Sequence, residues 1–281
     1  MKQLMPVILL LLMATQSGCG QTAKITAPVS FESDSNFLYS RFLPGNFLQM
    51  EVDGLDNVYL VTPAYQLKKF NAEGDSIGVY NDVKRFGNQS YIDVTNPFKT
   101  LVYYKNFATA VILDRQLTFR NAINFRNNNI FIVKAISTTY DNNIWLFDEQ
   151  DFKLKKITDE GRLLFESNDM RLLSQPVPSP SRIIENDNIV YLYDIEKGFY
   201  LFDYYGALKN NLPLLNWHSV SITKNILYGF TKNELHTYDT QTMQLKNFPL
   251  PPVFANSKNI KAINGKVYLL LNEGVVVYQV K

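Results

Sequence analysis

Few residues in this chain are of a type that does covalent or metal chemistry, and their spacing argues against most of it. The two histidines are His218, beside Trp217 at the entry to a strand, and His236, two residues before Tyr238. Neither has a second histidine at ligand spacing, so a histidine-based metal cluster is not encoded. The single cysteine, Cys19, falls in the N-terminal leader, which removes a thiol nucleophile. No Gly-x-Ser-x-Gly, phosphate-loop or dinucleotide glycine pattern occurs. Oxygen ligands remain. Asp93, Glu185 and Asn186 stand near strand ends and are the types that hold a hard divalent cation. The same residues serve equally as turn caps and solvated loop groups.

Cys19 has a different use. Lys2 supplies a positive charge, Met5 to Ala14 is a leucine-rich apolar run, and Ser17-Gly18-Cys19 follows. The run is short for a membrane span and reads as an export signal. A small residue before a lone cysteine resembles the bacterial lipoprotein signal, although Gln16 stands where that motif carries an apolar residue. The resemblance implies a signal peptide over residues 1–18, lipid attachment at Cys19, a tether over 19–26 and a single domain over 27–281. It also implies a place in the cell envelope, as an outer-membrane lipoprotein facing the periplasm or the surface. With one cysteine the chain makes no internal disulfide, so stability must come from its core.

Composition permits such a core. Of 281 residues, 46% are hydrophobic and 14% aromatic, while only 19% are charged. Net charge is +2, with Lys and Arg dispersed, so no nucleic-acid footprint is present.

The elements that would position any site repeat along the chain. Asp141-Asn142-Asn143-Ile144-Trp145-Leu146-Phe147-Asp148 has relatives at Asp56-Asn57-Val58-Tyr59-Leu60-Val61 and at Asp187-Asn188-Ile189-Val190-Tyr191-Leu192. Weaker copies centre on Tyr103, Tyr228 and Tyr268. The six central aromatics are spaced by 44, 42, 46, 37 and 40 residues. Leu67-Lys68-Lys69-Phe70-Asn71-Ala72-Glu73-Gly74 matches Leu154-Lys155-Lys156-Ile157-Thr158-Asp159-Glu160-Gly161 at five of eight positions. A strand-rich period near 40 residues marks the blades of a β-propeller. The expected fold is therefore all-β, a six-bladed β-propeller of four-stranded blades.

The last unit holds three strands, so an N-terminal strand must complete it. Val29 to Glu32 is the expected closing strand. Inner strands are expected at Phe47–Val52, Tyr91–Val94, Ile130–Ile136, Arg182–Glu185, Ser219–Thr223 and Ile260–Ile263, and the second unit's outer strand at Leu117–Arg120. Unbroken apolar second strands imply burial on both faces. The lysines of Leu67-Lys68-Lys69-Phe70 are expected to blunt a sheet edge. Asp-Asn and Asn-Gly pairs are turn chemistry, and Asn and Gly tolerate positive φ. Ser174 to Pro180 and Pro249 to Pro252 read as extended connections.

The Asp56–Val61 phrase followed by Leu67–Gly74 is similar to the NHL-type repeat. That resemblance implies a six-bladed propeller used mostly for binding. Connections between blades then carry recognition, and Arg85, Phe86, Arg126, Arg171, Trp217 and His218 are the candidate partner-binding residues. The preferred reading is a non-catalytic envelope scaffold or assembly subunit that binds a protein or polymer, reaches the membrane through its lipid anchor and needs no cofactor. The alternative is a periplasmic or surface hydrolase or lyase. Gluconolactonase-like propellers hold a divalent cation in the central channel with Glu, Asn and Asp, and Asp93, Glu185 and Asn186 would be the counterparts.

Overall fold

A computed structural model describes Phe31, residues 33–173 and residues 176–281. Six four-stranded antiparallel sheets are arranged in a ring, and helix is confined to short turns. Blade 1 runs through Gln49–Val52, Val58–Val61, Leu67–Phe70 and Ser76–Tyr80. The inner strands of blades 2 to 6 are Tyr91–Asp93, Val133–Thr138, Arg182–Asn186, His218–Thr223 and Asn259–Ile263. Each blade then leads outward by tight turns, so every inner strand begins at the same face of the ring.

The second strands explain why the ring holds. Val58–Val61 and Ile144–Asp148 are buried at every position. Their alternate side chains feed two different interfaces. Leu60 packs with blade 6 residues such as Tyr268, whereas Tyr59 packs with blade 2 residues such as Val102. Trp145 and Phe147 likewise meet Val190 and Tyr200 of blade 4. Turns before these strands use the expected chemistry: Asp56, Asn142 and Asn264 adopt φ of 63°, 64° and 52°.

Three expectations are corrected. The ring is closed by Phe37–Pro44, which pairs antiparallel with Gly274–Val280. Of the expected closing segment, Val29, Ser30 and Glu32 lie outside the described residues. Ser40 and Arg41 interrupt the apolar pattern of the true closing strand, at the register shift between Tyr39 and Arg41. Its anchor is Phe37, fully buried with its ring 5.1 Å from that of Phe254. The inner strand of blade 3 begins at Val133, not Ile130. Ile130 is buried instead in the connection, where its N–H donates to the Phe125 carbonyl at 3.1 Å. The outer strand of blade 2 is Phe119–Asn124, because Leu117 occupies the preceding turn with φ of 63°.

The lysines of the repeat do not blunt an edge either. Lys69 and Lys156 are fully buried, in third strands flanked on both sides by other strands. Lys69 Nζ lies 4.8 Å from the centre of the Tyr59 ring, and Lys156 Nζ lies 5.3 Å from that of Trp145. In blades 1 and 3 the third strand thus places a lysine over the central aromatic of the second. Ser174 and Gln175 of the proline-rich connection lie outside the described residues.

Candidate functional site

On each inner strand one residue stands opposite the central aromatic of the second strand. These are Glu51, Tyr91, Ser137, Ile184, Ser221 and Lys261. The ring brings the polar members towards one axis, together with Asp93 and Arg182 from neighbouring positions.

Arg182 closes the channel. Its Nη2 donates to Glu51 Oε1 at 2.7 Å, and its Nη1 donates to the Tyr91 hydroxyl. Lys261 Nζ lies 3.2 Å from Glu51 Oε2. Blade 4 is thereby tied to blades 1 and 2, and blade 6 to blade 1. Burial opposes ionisation of Glu51, yet Arg182 and Lys261 outweigh it and hold its carboxyl below the ordinary value. Burial likewise opposes charge on Arg182, but Glu51 and Tyr91 reverse the balance and raise its pKa. For Lys261 burial wins over the attraction of Glu51, and its pKa falls.

Asp93 sits in the same wall and is internally satisfied. Its oxygens accept from Thr138 N at 2.8 Å, Thr138 Oγ1 at 2.6 Å, Thr95 Oγ1 at 2.9 Å and Ser137 Oγ at 3.2 Å. Burial raises its pKa, and these bonds only partly offset the shift. Glu185 faces away from the axis, accepting from Trp145 Nε1 at 2.8 Å. Asn186 donates to the Lys224 carbonyl at 2.6 Å. Asp93 and Asn186 line one cavity but Glu185 does not join them, and no cluster of three or more His, Cys, Asp or Glu side chains suited to a metal occurs among the described residues.

Beside the Arg182 bridge lies a polar cavity of about 180 Å³. It opens at the end of the channel where first and second strands are joined. Glu51, Asp93, Arg182 and Lys261 line it, with Asn186, Ser221 and Lys224 among the residues towards its mouth.

The residues expected to bind a partner fall on connections that lead from one blade to the next, at the opposite face, except His218, which begins the inner strand of blade 5. Arg85 and Phe86 form part of the helical turn Val83–Phe86, where Arg85 is exposed above the buried Phe86 ring. Arg126 is exposed in the turn Phe125–Asn128. Arg171 is exposed and paired with Asp169. His218 is exposed, whereas Trp217 is buried, its ring stacked on that of His236 at 5.4 Å. His236 is itself held by Thr231 and Asn247 at 2.9 and 2.8 Å. These residues are spread over four successive connections and do not form one cluster. Sequence reasoning missed Glu51, Arg182 and Lys261. The usable signal was a charged residue on the inner strand, at the position opposite the repeat aromatic for Glu51 and Lys261 and two residues before it, on the same strand face, for Arg182.

No protein-family model and no curated protein sequence matches the chain. Its likeness is to solved structures. A streptogramin B lyase superposes with a TM-score of 0.55 at 17% identity, over 83% of this chain and 78% of that one. A virginiamycin B lyase from Staphylococcus aureus gives 0.55 at 14% identity, over 86% and 89% of the two chains. The Pan2 WD40 domain of Neurospora crassa gives 0.53 at 12% identity, over 84% and 78%. The fold is a six-bladed β-propeller. At these identities the likeness extends to the fold alone.

Proposed function

We propose that this chain is a non-catalytic envelope lipoprotein whose propeller binds another protein, or a polymer, as a scaffold or assembly subunit. The observation that carries this reading is the face formed by the blade connections. Phe131 and Ile132 are exposed on the connection from blade 2 to blade 3, Leu172 and Leu173 on that from blade 3 to blade 4, and Phe107 on the turn between the second and third strands of blade 2. Arg85, Arg126 and Arg171 are exposed among them. Large apolar side chains at loop tips on a rigid scaffold, interspersed with arginine, are the composition of a recognition surface. The leader sequence and Cys19 support export and anchoring.

The hydrolase or lyase reading needs oxygen ligands that converge; Asp93 is filled by hydroxyls, and Glu185 accepts from Trp145 away from the cavity that Asp93 and Asn186 line. The solved lyases share the fold without extending the argument to chemistry.

Mild crosslinking in intact cells followed by affinity capture tests the proposal. A defined partner is expected, and Phe131→Glu together with Leu172→Glu should abolish its recovery. Repeated capture of nothing by the anchored protein would sink the scaffold reading. Cys19→Ser should release the protein from membranes; retention would remove the lipoprotein assignment.

A further inference from the structure

The cavity beside the Arg182 bridge has an unbalanced hydrogen-bond inventory. Its acids are largely occupied. Asp53 accepts from Leu55 N, Asn57 N, Asn57 Nδ2 and the Tyr59 hydroxyl at 2.8–3.0 Å. Asp93 is filled by hydroxyls and a backbone N–H, and Glu51 receives both Arg182 and Lys261. The bases are not. An arginine carries five N–H donors, and Arg182 commits two of them, to Glu51 and Tyr91. Lys261 has Glu51 and one longer contact, to the Val220 carbonyl at 3.5 Å. Lys224, exposed at the mouth, has no ion pair among the described residues. The walls also offer acceptors, the Asn186 amide oxygen and the Ser221 hydroxyl oxygen, whose own protons are directed to the Lys224 and Ala262 carbonyls.

We propose that this cavity binds a small hydroxylated carboxylate. The carboxylate would take the unspent donors of Arg182 and Lys261 at the floor, with Lys224 closing over it. Its hydroxyls would donate to Asn186 and Ser221. Charge-assisted bonds from guanidinium and ammonium to a carboxylate are the stronger kind, and their desolvated setting favours them further. A volume of about 180 Å³ limits the ligand to roughly the size of a sugar acid, since about 150 Å³ already accommodates a six-carbon ring. The site lies at the opposite face from the blade connections and does not depend on partner docking there.

Calorimetric titration of the purified protein with glycerate and with glucuronate tests this, with glucose and inorganic phosphate as comparisons. Saturable binding of at least one of the two carboxylates is expected, with none for glucose. Lys261→Gln should weaken it about ten-fold or more, the loss typical of one charged hydrogen bond. Lys224→Ala, an exposed change that leaves the fold intact, should weaken it by about three-fold and reduce its salt dependence. The proposal is overturned if neither carboxylate binds, if phosphate binds more tightly than both, or if Lys224→Ala leaves affinity and salt dependence unchanged.

Discussion

Nη2 of Arg182 lies 2.7 Å from Oε1 of Glu51, although the two residues are 131 positions apart and belong to opposite blades. Glu51 also receives Lys261. Removing it leaves two cations with reduced compensation in a buried place. Glu51→Gln is expected to cost about 3 kcal/mol or more, in the range for breaking a buried pair from one side. The double variant Glu51→Gln/Arg182→Met should cost less than the sum of the two single changes. Urea unfolding measures both, and an unchanged midpoint for Glu51→Gln would show that the bridge adds no stability.

A second prediction concerns pH. Burial opposes ionisation of Asp141, but Thr139, Tyr204, Lys156 and Asn143 hold its carboxyl far below the ordinary value. Tyr204 belongs to blade 4, and its hydroxyl donates to Asp141 at 2.5 Å, so the bond joins two blades. A depressed folded pKa gives stability that is present above the unfolded value, about 4, and is lost as pH falls towards the folded one. Asp141→Asn should therefore be less stable than the parent at pH 7, and the gap should narrow steadily below about pH 4. Asp93 has the opposite sign, because its raised pKa favours the fold at low pH. Denaturant midpoints taken across the acid range would show whether the two curves converge.

Trp217 supplies a third test. A Cβ added at Gly229 would lie 2.4 Å from Trp217 Cε3. The indole has no room to yield, since it is buried and stacked on His236. Gly229→Ala should destabilise the fold by about 1–3 kcal/mol through overpacking. It should also shift tryptophan fluorescence, for which Trp145 and Trp217 are both buried reporters. Unaltered emission and stability would mean that blade 5 can move aside.

Much of the fold was legible because one physical constraint repeats. Each second strand must be apolar on both faces, so Val58–Val61 and Ile144–Phe147 look alike at any distance along the chain. The closing strand was not legible, because Phe37–Pro44 lies at a rim and alternates around Ser40 and Arg41. Lys69 and Lys156 misled for a different reason. A lysine near a turn normally stays in water, and only the neighbouring blade shows that each is covered while facing an aromatic ring. The channel cluster was hidden because Glu51, Arg182 and Lys261 meet through closure of the ring, not through any local pattern.

Ring closure is testable directly. Deleting the chain through Pro44 exposes the backbone of Gly274–Val280, which now pairs with Phe37–Pro44. Deletion through Pro44 should lower cooperativity and promote association through the bared edge, to a far greater extent than deletion through Ser33, which leaves the strand pairing in place. Size-exclusion chromatography and calorimetry of the two truncations would separate these outcomes; a monomeric, cooperative protein after deletion through Pro44 would contradict the closure argument.

The N–H of Lys281 donates to the Asn36 carbonyl at 2.9 Å, so the start and end of the described ring meet at one point of blade 6. A circle has no preferred origin, and the seam could have fallen at any blade. Blade 3 is the diametrically opposite blade. The apolar arc from Phe107 to Leu173 therefore lies across the wheel from this seam, so whatever occupies the arc leaves the strand pairing that shuts the ring untouched.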